Sequence, residues 1–185
     1  MQWKPAIALV ALMLAPFGAS VAARSQPVEA APAASDEQDE ASREIETLRA
    51  VEVTPLVPDE ALDKRHVGKL VRWAGAIYGI DGRCLTILFA RSGDHGEPRW
   101  TAEPTYQAFV ACGSGGYDPE LVQAHTNVTI IGRVTGKQYI GMGGGGADGP
   151  VLRIEKLYRW SDCLAGDDSP ICKRGFLEPG PVEEE

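Results

Sequence analysis

The string Cys112-Gly113-Ser114-Gly115-Gly116 has the residue types of a hydrolytic nucleophile loop. A Ser or Cys would attack there, and flanking glycine N–H groups would hold the oxyanion. Such a nucleophile needs a base and an orienting acid. His66, His95 and Asp94 supply the right types at scattered positions. That loop operates at the seam of two β-barrels, whereas the strand-like segments of this chain suffice for one. The string therefore reads as a strand end followed by a glycine-rich turn, and no catalytic residue is assigned.

Four cysteines, Cys84, Cys112, Cys163 and Cys172, are present. No C-x-x-C pair occurs, and the spacings fit no familiar zinc site. An even count suits disulfides in an oxidising compartment. The sequence allows three pairings, of which Cys84–Cys112 with Cys163–Cys172 is favoured, the second closing a small Gly/Asp/Pro loop. His66, His95 and His125 are dispersed in turn regions and make no ligand spacing, so they are expected to face solvent and no metal is assigned. GMGGGGADG (141–149) lacks the Lys-Ser/Thr ending of a phosphate loop and reads as a floppy hairpin tip. Asp167-Asp168 lies outside any calcium-loop pattern. No cofactor is expected. Aromatic residues are dense in the body, and Trp100 and Tyr139, with the loops near them, are the candidate binding surface.

The elements that must position these residues are mostly strands. Val71, Trp73, Gly75 and Ile77 alternate within 69–80, Asp81-Gly82 is a tight-turn signal, and 84–90 follows, which predicts a hairpin over 69–90. Strands are also expected at 106–112, 126–136 and 151–160. A polar loop should fill 91–105, and short helical turns should begin at Pro58 and Asp118. Gly75, Gly79 and Gly132 inside strands mark bulges or the bends that let a small sheet close. The fold class is all-β in the main: a small five-stranded OB-like β-barrel, closed or partly open, over residues 59–160.

The flanks differ in composition. Lys4, the apolar run Ile7–Leu14, the breakers Pro16 and Gly18, and the small residues Ala19–Ala23 read as a secretory signal peptide, 1–23, cut before Arg24. The linker 24–58 holds eight acids and three bases, with a helix expected near 36–50 behind Ser35 as N-cap. Its apolar stripe, Ala41, Ile45 and Leu48, is thin, which favours a solvated tether over a docked helix. Residues 161–185, with seven acids and two bases, read as a disulfide loop and a disordered acidic tail. The chain's net charge of −8 thus sits in its flanks, and an acidic exported chain is a poor partner for nucleic acid.

Several pieces of the body resemble the Slp family of outer-membrane lipoproteins from Gram-negative bacteria. They are Val71-Arg72-Trp73-Ala74-Gly75-Ala76-Ile77, Thr86, Gly96-Glu97-Pro98, Phe109-Val110-Ala111, Tyr117-Asp118-Pro119, Val128-Thr129-Ile130-Ile131-Gly132, Pro150-Val151 and Trp160, in order over about 67–160. Family members carry a lipobox cysteine after the leader, and here the first cysteine is Cys84. The family brings no catalytic residues to transfer. The resemblance implies a non-enzymatic cell-envelope protein associated with the outer membrane and linked to stress or starvation. It would reside in the periplasm or on the periplasmic face of that membrane, with envelope components as partners. The alternative is a soluble periplasmic OB-fold protein that binds a small ligand or cation.

Overall fold

Alternation of apolar and small residues builds the first hairpin. In the computed structural model, which describes residues 33–101, 107–161, 163, 169 and 172–181, β1 (Leu70–Asp81) and β2 (Cys84–Ser92) pair antiparallel from Ala74↔Ala90 to Asp81↔Cys84. A two-residue β3 (Pro98–Arg99) folds back on β2 within the expected polar loop. The remaining strands are β4 (Ala108–Cys112), β5 (Asn127–Met142), β6 (Gly145–Arg159) and β7 (Gly175–Leu177).

Five of these strands close a ring. β1 pairs with both β2 and β5, β5 with β6, β6 with β4, and β4 with β2. The β4–β6 seam is parallel and the ring's other ladders are antiparallel. This is the five-stranded, all-β architecture expected. The ring's interior is filled by side chains. Trp73 is buried and packs edge-on against Phe109 at 5.1 Å and Phe89 at 6.4 Å. Its indole N–H donates to the Leu56 carbonyl at 2.6 Å, so the extended segment before β1 is tied to the core. Ile77, Leu85, Ile87, Val128, Ile130, Leu152 and Leu157 complete the centre.

The strand glycines have two roles. The ladder slips between Ile77 and Gly79 and between Ile131 and Gly132, so bulges sit at these glycines. Gly75 makes no bulge. A Cβ there would lie 2.1 Å from the Leu88 carbonyl oxygen, and one at Gly132 would lie 2.6 Å from that of Arg153. At these points neighbouring backbones approach too closely for a side chain.

Four expectations need correction. The 141–149 segment is no floppy loop. β5 runs on to Met142 and β6 begins at Gly145, joined by Gly143 and Gly144 at φ +32° and +95°. Two successive positive-φ residues are what a two-residue hairpin turn requires. The helix α1 spans Ala33–Ala50 and is docked, not a tether. Its Leu48 is fully buried against Ile131 and Tyr158, with Ile45 at the edge of that cluster. Arg72 Nη1 donates to the carbonyls of Leu48 and Arg49 at 2.9 and 3.1 Å, satisfying acceptors that the helix end leaves open. The chain after 161 is more than a loop and acidic tail, because β7 pairs with β6 at Leu157–Arg159. Finally, His66 is half-buried rather than solvent-facing, and its Nδ1 is buried without a hydrogen-bond partner. The signal peptide 1–23 and the first part of the linker lie outside the described residues.

One buried leucine thus distinguishes a docked helix from a tether. Leu48→Ala should cost about 2–5 kcal/mol of unfolding free energy, the range for truncating a buried leucine. Urea unfolding measures it, and a change within about 0.5 kcal/mol, as for a surface site, would show that α1 does not pack.

Candidate functional site

The turn and strand residues singled out for chemistry are now placed. Cys84 and Cys112 face each other across the β2–β4 ladder and are joined as a disulfide, and Cys163 is joined to Cys172. Cys112 therefore has no thiol to act as a nucleophile. Ser114 is exposed. His95 and His125 are exposed, and among the described residues no group of three or more His, Cys, Asp or Glu side chains converges to hold a metal.

Trp100 and Tyr139 are both well exposed, at 52% and 66%. They lie on separate elements. Trp100 follows β3, whereas Tyr139 lies in the β5–β6 arm, opposite Asp148 and with its phenol end over Gly146. Beneath that arm, Ile140 is buried with Ala108 and Val110 and fixes it over β4.

Two grooves outside the ring collect polar groups. The larger, about 470 Å³, lies between α1, β6 and β7. Tyr117, Ile154 and Leu177 form its apolar wall, and Glu40, Glu44, Glu155 and Glu178 outnumber Arg43 and Lys156 around them. The wall is tied to the tail: Phe176 N–H donates to Glu44 Oε1 at 3.5 Å and Gly180 N–H to the Gly116 carbonyl at 2.7 Å. Burial, and after it the Glu178 carboxylate, push the Tyr117 phenol up to about 12 from 10.0. The Tyr158 phenol is raised too, by burial first and then by Glu44, against an opposing effect of Arg174. Its hydroxyl is buried without a partner, and its ring meets Trp160 at a tilt at 4.7 Å and Phe176 edge-on at 5.1 Å.

The second groove, about 310 Å³, lies between the turn before β2, the end of β4, and β5 and β6. Arg83, Arg153 and Ser114 rim it, and Cys112, Thr135 and Val151 are in its wall. No sequence motif marks these two arginines. They are seventy positions apart in the chain, and only the pairing Cys84↔Cys112↔Arg153 brings them together. An arginine directly after a tight-turn glycine was the one signal on offer.

A family model described as the outer membrane lipoprotein Slp family matches residues 38–174. The chain belongs to the Slp family. The match begins inside α1, covers the whole ring and stops just before β7. Membership is consistent with an exported, envelope location. No curated protein and no solved structure matches the chain.

The phenol at Tyr117 has a measurable consequence. A tyrosine whose pKa is raised in the fold stabilises the native state fully below the unfolded value and loses that contribution as pH rises through the folded one. Unfolding free energy should therefore fall between pH 10.0 and about 12, and Tyr117→Phe should remove part of that fall. An identical alkaline profile in the variant would show that Tyr117 titrates normally.

Proposed function

We propose that this Slp-family chain is a non-enzymatic envelope protein that acts by association at the periplasmic side of the outer membrane, in a role tied to starvation or stress. The observation that carries this reading is the family match across the helix and the whole ring. The packed interior supports it. Trp73, Phe109 and their neighbours fill the ring, so contacts with any partner fall on its outer surface.

Two exported surfaces are suited to association. The α1–β7 groove offers an apolar wall rimmed by charge. The exposed aromatics Tyr78, Trp100 and Tyr139 offer amphipathic rings of the kind found at membrane and protein interfaces. Stress or starvation linkage rests on the family resemblance alone.

Fractionation of cells producing the full chain tests the proposal. The expected result is a protein that sediments with outer membranes through a high-salt wash and whose mature N-terminus is Arg24. Release by osmotic shock in soluble form would favour the alternative of a periplasmic ligand-binding protein. A mature protein that retains Met1 in the cytoplasmic fraction would overturn both.

A further inference from the structure

We infer that the Arg83–Arg153 groove is a binding site for a phosphate group carried on an organic ligand. It goes beyond the envelope role proposed above and does not depend on it.

Three observations converge. First, neither guanidinium has an ion pair or hydrogen bond among the described residues, although both are on the rim of one concave site. Four other arginines are engaged, while the guanidinium groups of Arg43, Arg49, Arg91, Arg99 and Arg174 likewise have no such bond among the described residues. Arg72 holds the end of α1, Arg133 pairs with Glu155 at 2.7 Å, Arg159 donates to the Leu121 and Lys173 carbonyls, and Arg65 pairs with Asp63. Second, no Asp or Glu lines this groove, in a chain with 26 acidic residues. The α1–β7 groove, by contrast, carries four carboxylates. Two cations that line one groove without a counter-charge favour an oxyanion between them. Third, the frame is rigid. The Gly113 N–H donates to the Arg83 carbonyl at 2.9 Å, the Cys84–Cys112 disulfide lies next to it, and Cys112 is paired with Arg153.

The chemistry selects the ligand class. Guanidinium forks match the geometry of phosphate oxygens and can each donate two bonds. The exposed Ser114 hydroxyl adds a donor beside them. Thr135 is less available, since its hydroxyl already donates to the Val151 carbonyl at 3.0 Å. The volume of about 310 Å³ exceeds what a bare phosphate fills and lies at the lower end of ligand pockets. Val151 and Ile154 supply an apolar wall for the attached group. Phosphorylated lipid headgroups and small soluble phosphate esters share this chemistry.

The test uses the full chain and two probes. Inorganic phosphate is titrated while the arginine Nε–Hε signals are followed by NMR. Vesicles of phosphatidylglycerol, or of phosphatidylcholine as the control, are mixed with the protein and floated. We expect phosphate to shift the Arg83 and Arg153 signals, or phosphatidylglycerol vesicles to carry the protein. Arg83→Gln and Arg153→Gln should each weaken binding about tenfold, as loss of a charge-assisted bond implies, and the double variant more. Arg91→Gln, an exposed arginine outside the groove, should bind like the parent. Unfolding midpoints of all variants should match the parent, which separates lost binding from lost folding. A response to phosphate without capture by vesicles identifies a soluble phosphate ester; capture by phosphatidylglycerol vesicles, displaced by phosphate or not, identifies a headgroup. Binding of neither probe, full binding by the double variant, or an equal loss in Arg91→Gln would overturn the site.

Discussion

One row of residues closes this fold. Cys84, Cys112 and Arg153 lie side by side on β2, β4 and β6. The β4–β6 contact is only three residue pairs long, Val110–Cys112 on Val151–Arg153, and it is the ring's parallel seam. A short parallel ladder is a weak place to close a sheet. Without it β4 and β6 would each present an open edge. The disulfide binds the end of β4 to the end of β2, so the weak seam is held from its other side. Cross-linking residues 28 apart in sequence restricts the unfolded chain and is worth about 3.6 kcal/mol by loop-entropy reasoning.

The consequences run inward and outward. Inward, closure brings Phe109 and Ala111 against Trp73 and completes a core in which nothing but side chains fits. Outward, the same row delivers Arg153 to Arg83 and Ser114. With the interior filled, the groups open to contact lie on the shell. There the two flanks of the chain have been recruited as structure. α1 covers Ile131 and Tyr158 with Leu48, and β7 adds a strand beside Leu157–Arg159 of β6 and meets the helix through Glu44.

Much of the ring was legible in the sequence because its strands obey a two-residue period around large apolar side chains. Val71, Trp73 and Ile77 mark one face of β1, and Asp81-Gly82 marks its end. What was not legible lacked side-chain pattern. Residues 141–149 extend two strands, but glycines carry no alternation, and only the positive φ values of Gly143 and Gly144 reveal a tight turn. α1 presents three apolar residues to the ring, too few to separate docking from exposure until Leu48 is seen beneath Gly96 and beside Tyr158. β7 is three residues long and gives no period at all. The arginine groove depends on a register between strands that are distant in the chain, which composition does not encode. Trp100 and Tyr139 are exposed, and the sequence already set them on separate segments, the 91–105 loop and the chain after the 126–136 strand.

Native-state amide hydrogen exchange on the parent and on a Cys84→Ala/Cys112→Ala variant tests the closing row most directly. If the disulfide holds the seam, the variant's amides at 110–112 and 151–153 will exchange through a new, low-energy opening while the β1–β5 ladder keeps its protection. Equal protection of the β4–β6 seam in both proteins, or a loss spread evenly over all strands, would contradict that account.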